Sequence, residues 1–190
     1  MNLVERIRNI LLTPRSEWRV IEHERCDAAS LFLHYVAILA AIPAIAGFIG
    51  TSLIGVSVPT VGTVRVPIIA GLINAVLAYL LSFGVTYCVA LAADALAPSF
   101  GGHRNPGKAL KLIVYSFTPS WLAGVFLAIP ALGFLGIVGL YAVVLLWFGV
   151  PQMMKVPDER ATGYTALLVV VMIVAAFALA LLQASLIGFG

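Results

Sequence analysis

Charged residues are scarce in this chain. Only 10% of the 190 residues are Asp, Glu, Lys or Arg, while 62% are hydrophobic. Soluble domains typically carry about 25% charged residues, so the deficit excludes an ordinary soluble protein. It also leaves too little polar surface for the basic patch that a nucleic-acid-binding protein needs, and no nucleic-acid partner is expected.

Cysteine and clustered histidine are also lacking. Cys26 lies in a charged segment and Cys88 in an apolar run, which predicts two free thiols rather than a disulfide framework. His23, His34 and His103 are scattered along the chain, whereas a zinc site needs several ligands at short spacing. No metal or other cofactor is expected.

Long apolar runs fill most of the sequence, and a transmembrane helix needs about 20 such residues. The run 109–150 is interrupted only by Lys111 and suffices for two crossings, with Pro130 at the break. We therefore predict an all-α membrane protein, a five-transmembrane-helix bundle preceded by an amphipathic segment. The segment is 1–30 and the membrane domain is 31–190, with spans at about 31–50, 67–92, 109–129, 131–150 and 164–187.

Basic residues lie almost entirely on one side of the predicted bundle. Five spans place the N-terminal segment and the loops before the third and fifth spans on the same side. Ten basic residues fall there, and Arg65 alone falls on the other side. Because cytoplasmic loops are enriched in Lys and Arg, we predict a cytoplasmic N-terminus and an external C-terminus. The ten residues are Arg6, Arg8, Arg15, Arg19, Arg25, Arg104, Lys108, Lys111, Lys155 and Arg160.

The N-terminal segment carries two short amphipathic patterns. In NLVERIRNILL the apolar residues recur at helical spacing, and Arg6 and Arg8 are assigned to the opposite, polar face. In TPRSEWRVIEHE, Pro14 suits the first position of a helix and Trp18 suits the membrane interface. Two interpretations stay open: a helix pair packed on the cytoplasmic end of the bundle, or an element that docks a partner.

Polar residues are few within the predicted spans. Asn74, Ser82 and Thr86 share one face of the second span. The face is typical of a helix-packing seam, whose polar groups hydrogen-bond between helices; the other interpretation is the lining of a permeation path. Asp94 and Lys111 fall near span ends, where we expect their side chains to reach water. No serine has an evident base partner, so an enzyme is not expected.

The stretch YSFTP, Tyr115 to Pro119, lies in the middle of the third span. Proline has no N–H to donate to the carbonyl four residues earlier, and it interrupts a helix. The Tyr115 carbonyl therefore needs another donor, and Ser116, Thr118 and Asn74 are the candidates. We predict a helix kink at Pro119.

Two short motifs carry a family resemblance. Tyr115 and Pro119 form a Tyr-x-x-x-Pro pattern that resembles the core of the Yip1 family of small polytopic membrane proteins, and Pro14 with Trp18 is similar to the pair that opens many bacterial members. Typical members have a cytoplasmic N-terminal segment and five spans. Val114 replaces the glycine of eukaryotic members, so the resemblance is to a bacterial-type protein of the inner membrane.

The resemblance implies a non-enzymatic integral membrane protein that organises membrane or partner proteins. Its expected partners are the lipid bilayer, other membrane proteins or further copies of the same chain. The alternative is a channel or transporter for a small solute or ion. It is motivated by the polar face of the second span and by Pro43 and Pro119, because broken helices expose carbonyls that can line a cavity.

Overall fold

The fold was analysed in a computed structural model, which describes residues 2–24, 27–59 and 62–187. Five helices are long and apolar enough to cross a membrane, which confirms the predicted all-α, five-span fold class. Their bounds are Ala28–Ile54, Ile68–Phe100, Pro106–Ala128, Pro130–Met154 and Asp158–Ala184. Arg25 and Cys26, named above, lie outside the described residues.

Segments of 3₁₀ and π helix separate several of the nine α-helices of the described residues. Only α5 and α9 run through a whole span without interruption. The helices are α1 Leu3–Leu12, α2 Pro14–His23, α3 Ala28–Leu31, α4 Ala37–Phe48, α5 Ile68–Leu96, α6 Pro106–Ser116, α7 Thr118–Ala123, α8 Tyr141–Met154 and α9 Asp158–Ile187. The first two spans are connected by an antiparallel hairpin of strands β1, Val56–Val58, and β2, Gly62–Val64.

The third span forms the centre of the bundle. Every residue of α6 from Ala109 to Ser116 is buried, whereas the other four spans leave most of their side chains open to lipid. A helix that is buried on all sides cannot show the one-sided apolar pattern of a surface helix. The residues at 109–116 therefore pack against protein all round, including Lys111 and Ser116.

The third span is interrupted within the YSFTP stretch. Phe117 lies between α6 and α7 with φ −74° and ψ −9°, and Pro119 falls in the first turn of α7. Proline is tolerated there because the first amides of a helix have no intrahelical acceptor. The chain thus starts a new helix at the motif, and whether the axis of the span bends there stays a prediction.

The first half of the fourth span is a 3₁₀ helix, Pro130–Leu140. In a 3₁₀ helix the side chains at i and i+3 eclipse each other. Gly133, Gly136 and Gly139 therefore form one straight row. The row contacts the third span at one point, where the Ser120 hydroxyl donates to the Gly139 carbonyl at 3.0 Å.

Helices α1 and α2 form an N-terminal hairpin that packs against the bundle. Ile10, Trp18 and Ile21 of this hairpin are fully buried in the same core as the spans. Gly149 on α8 makes room for α2: a Cβ added there would lie 2.7 Å from the Trp18 ring and 2.6 Å from Leu112 Cδ1. The hairpin and the fourth span thus meet at a position where a side chain does not fit.

We expect Gly149→Ala to loosen the hairpin. The added methyl group overpacks the contact with Trp18, at a cost of about 1 to 3 kcal/mol. The measurement is the midpoint of thermal unfolding in detergent. Gly136→Ala is the matched control, because no atom lies within 4 Å of a Cβ added at Gly136. Equal midpoints for the two variants would contradict the close packing of α2 on α8.

Candidate functional site

Tyr115 of the third span lies among side chains from three other parts of the chain. Its ring makes an edge-to-face contact with Tyr35 of the first span, at 4.9 Å between centroids, and a longer one with Trp18 of the hairpin, at 6.4 Å. The guanidinium of Arg6 lies over the same ring, 5.3 Å from its centroid. Aromatic and cation–π contacts of this kind favour burial of the ring.

Tyr35 also contacts Thr118, a second residue of the motif. Its hydroxyl is 2.8 Å from the hydroxyl of Thr118, and both residues are buried. The Thr118 hydroxyl is therefore hydrogen-bonded to a residue of the first span. Among the described residues the Ser116 hydroxyl has no hydrogen-bond partner, so it does not donate to the Tyr115 carbonyl. Pro119 is buried as well, beside a small cavity that Leu11 also lines.

Beside Tyr115 is a buried charge cluster, which consists of Arg6, Glu17 and Glu24 and is called the Arg6 cluster. The Arg6 side chain is about 95% buried; its Nη1 donates to Glu17 Oε1 at 2.5 Å and its Nη2 donates to both carboxylate oxygens of Glu24. A buried charge is stable only when it is paired and hydrogen-bonded. The cluster therefore connects α1, α2 and the chain that follows α2, directly against Tyr115.

Lys111 of the third span binds the end of α2. Its Nζ donates to the carbonyl of Ile21, at 3.0 Å, and to the carbonyl of Glu24. The last carbonyls of a helix lack intrahelical donors and carry its negative dipole end, which favours a cation there. The expectation that Lys111 and Asp94 reach water is wrong: both are about 94% buried, and Asp94 accepts from Arg104 Nε at 3.3 Å.

Glu22 adds an ionic link at the same end of the hairpin. Its carboxylate contacts Lys155 at 2.5 Å, after the fourth span, and Lys108 at 3.1 Å, at the start of the third. The hydrogen bond from Lys155, helped by Lys108 and opposed by desolvation, lowers the pKa of Glu22 below its usual value. Glu22 thus stays ionised and holds α2 to two spans at once.

Trp18 occupies the core rather than the membrane interface. It is fully buried, and its indole Nε1 donates to the backbone carbonyl of Leu145 on α8 at 3.0 Å. The interfacial position expected for this residue is therefore wrong, because a docking site between α2 and α8 satisfies the N–H without water. Pro14 is the first residue of α2, four residues before Trp18, and orients the helix for that contact.

The sequence pattern of the Yip1 domain matches residues 8–179 of the chain. The chain belongs to the Yip1 family. It is 24% identical, over 181 residues, to the inner membrane protein YohC of Escherichia coli K12 and to the protein of that name from Escherichia coli O6:H1. The similarity covers 93% of this chain and 93% of each relative. No solved structure matches it.

The family motifs meet in one place in this Yip1 domain. Tyr115 and Thr118 share Tyr35 as a contact, and Trp18 makes a further aromatic contact with Tyr115. The hairpin is therefore docked on the third span at the motif. What these residues do for the activity stays a prediction.

The polar residues of the second span do not form one group. Ser82 and Thr86 donate to carbonyls of their own helix, Tyr79 at 2.6 Å and Ser82 at 2.8 Å, rather than to a neighbouring helix. Both line an intramembrane cavity of about 380 Å³, which is otherwise largely apolar. Asn74 does not line it, and its Oδ1 has no partner within the described part of the chain.

Most of the polar residues around Tyr115 were not predicted from the sequence. Arg6 was placed on the polar face of α1 and is buried instead; at 100° per residue it lies only 60° from Leu3 and 40° from Ile10, on the apolar side. The position of Arg6 on the helical wheel could therefore have predicted its burial. Glu17 and Tyr35 offered none, because their partners lie on other elements at no fixed spacing.

We expect Arg6→Gln to destabilise the protein strongly. The change leaves the buried Glu17 carboxylate without its cation, and breaking a buried pair in this way costs about 3 to 5 kcal/mol. The measurement is thermal unfolding in detergent. Arg8→Gln, an exposed arginine on the same helix, is the matched control and should stay within about 0.5 kcal/mol of the wild type. A similar loss in both variants would contradict the pairing.

Proposed function

We propose that this Yip1-family protein is a non-enzymatic membrane protein of the inner membrane that organises the bilayer around it. The observation that carries the proposal is the position of the N-terminal hairpin. It packs beside one half of the bundle, and among the described residues the other end carries only the short hairpin of β1 and β2.

Contacts at the two ends of the hairpin define its extent. At one end Glu22 meets Lys108 and Lys155, which lie at the beginning of the third span and just after the fourth. At the other end the Leu11 carbonyl accepts from the hydroxyl of Tyr141, at 3.0 Å. Tyr141 is near the middle of the fourth span, so α1 and α2 reach about halfway along it.

This arrangement gives the molecule a larger cross-section in one half of the membrane. Val4, Leu12 and Val20 on the hairpin surface are exposed and apolar, while Arg8 and Arg15 are exposed and basic. Because the hairpin follows the fourth span from Lys155 to its middle, it takes the place of lipid beside that span and displaces lipid in one leaflet. Displacement in one leaflet bends the bilayer toward the other, and this is the organising action that we propose.

The orientation follows from the basic residues. The hairpin and the loops on its side carry ten of the eleven, so we place this side in the cytoplasm and the C-terminus outside. The location is supported by the relatives, which are named as inner membrane proteins. We expect a C-terminal alkaline phosphatase fusion to be active and a C-terminal fluorescent protein fusion to be dark. A fluorescent C-terminal fusion would overturn the orientation.

The alternative is a channel or transporter, and the cavity beside Ser82 and Thr86 is the observation that favours it. Its hydroxyls are already bonded to their own helix, and its other lining residues include Phe117, Trp121 and Met172. A lining of this kind offers little replacement for the hydration shell of an ion. The organising role is therefore the better supported of the two.

Proteoliposomes of mixed diameter separate the two functions. An N-terminal tag labelled from outside selects molecules with the hairpin facing outward. We expect their surface density to rise as vesicle diameter falls. This dependence of density on diameter should become weaker in Gly149→Ala and should disappear in a chain without residues 2–24. Retained helical circular dichroism serves as the folding control for both variants.

A density that does not depend on diameter in the wild type would overturn the organising role. Solute flux is measured in the same vesicles. Saturable flux that is lost in Ser82→Leu, with folding unchanged, would establish the channel instead. Ala78→Leu on the same helix, outside the cavity, is the matched control.

A further inference from the structure

A basic cavity of about 500 Å³ lies between the hairpin, the C-terminal part of α8 and the start of α9. Its lining includes Arg15, Arg19, Trp147, Phe148 and Asp158. The guanidinium of Arg15 lies over the Phe148 ring, 4.7 Å from its centroid. Neither arginine has an acidic side chain within 4 Å among the residues that the structure describes. Two guanidinium groups therefore stand at this cavity without an internal counterion.

The basic cavity continues into an apolar groove between α8 and α9. Trp147 lines both the basic cavity and a second one of about 460 Å³, and Val143 and Val169 line both the second cavity and the intramembrane cavity near Ser82. From Asp158 to Val169 a helix rises about 17 Å at 1.5 Å per residue. One leaflet with its headgroups is about 20 Å thick, so the first two cavities together have the length of a single lipid.

The polarity changes along this path in the order found in a glycerophospholipid. Arg15 and Arg19 line the basic cavity together with Asp158, which lies at the proposed cytoplasmic start of α9, and planar guanidinium groups bind phosphate through paired hydrogen bonds. Trp147 follows; its half-exposed indole donates to the Thr162 hydroxyl at 3.3 Å, and such rings are typical of the headgroup level. Beyond it the groove is lined mainly by valines.

Thr165 is the exception in the apolar part. It is about 96% buried and lines the groove, and its hydroxyl has no hydrogen-bond partner among the described residues. The hydroxyl oxygen itself has less than 1 Å² of accessible surface, so it is enclosed by protein and the groove meets other atoms of Thr165. Thr165 lies one helical turn from Thr162.

We propose that this groove binds an anionic glycerophospholipid. The phosphate lies between Arg15 and Arg19, the glycerol passes Trp147, and one acyl chain follows α8 and α9 past Thr165 to Val169. Asp158 is the one acidic residue in the lining of the basic cavity, so the headgroup end keeps a net positive charge. Basic pockets beside transmembrane helices on the cytoplasmic side bind anionic headgroups in this way. The site does not depend on the organising role.

The headgroup is tested by native mass spectrometry of the full chain in detergent, titrated with phosphatidylglycerol. We expect Arg15→Gln/Arg19→Gln to weaken binding at least about tenfold, because two charge-assisted contacts are lost. Arg8→Gln/Arg160→Gln removes the same net charge at exposed positions outside the cavity and should leave binding unchanged. Equal weakening in both double variants would overturn the site, as would phosphatidylcholine binding as tightly as phosphatidylglycerol.

The acyl groove is tested by Ala166→Phe, which fills the second cavity, with Ala178→Phe as the control on an exposed face of the same helix outside it. We expect Ala166→Phe to weaken phosphatidylglycerol binding and Ala178→Phe to leave it unchanged. Glycerol phosphate binding as tightly as the lipid would show a site for free phosphate and overturn the lipid assignment. A dimer that is lost in Ala166→Phe, with no lipid bound to the wild type, would assign the groove to a second copy and overturn it as well.

Discussion

A guanidinium cannot be left unpaired in the interior of a membrane protein, and the packing of this molecule follows from how Arg6 is satisfied. The side chain donates its hydrogen bonds to Glu17 and Glu24 and lies over the ring of Tyr115. These partners belong to α2, to the chain after α2 and to the central span. Satisfying one charge therefore fixes the hairpin angle and the depth of the hairpin beside α6 at the same time. Lys111 and Glu22 secure the same end with opposite charges.

The third span can hold these groups because it is the most enclosed of the five. A lysine and two motif side chains there are surrounded by protein rather than by lipid. Tyr115 and Thr118 face Tyr35 of the first span, and Trp18 enters over Gly149 of the fourth. The spacing of Tyr115 and Thr118 thus has a packing explanation: the two side chains, one turn apart, contact the ring and the hydroxyl of Tyr35 on a neighbouring span.

Hydropathy was enough to predict the five spans, because their apolar length is a local property of the sequence. Pro130 and Pro119 also marked the places where the helices begin again. The contacts of Arg6, Lys111 and Tyr35 could not be predicted, since each joins elements far apart in the chain and leaves no periodic trace. The period-three glycines were visible in the sequence. Their meaning depends on the helix type, and nothing local distinguished a 3₁₀ helix from an α-helix there.

The 3₁₀ segment of the fourth span has a consequence for membrane thickness. A 3₁₀ helix rises about 2.0 Å per residue and an α-helix about 1.5 Å. The 11 residues of Pro130–Leu140 therefore cover about 22 Å, where an α-helix would cover about 17 Å. Rewinding this half of the span would shorten it by about 5 Å, which matches the differences in hydrocarbon thickness between cellular membranes. Among the described residues the fourth span has the longest 3₁₀ segment, and so the greatest capacity to change its length in this way.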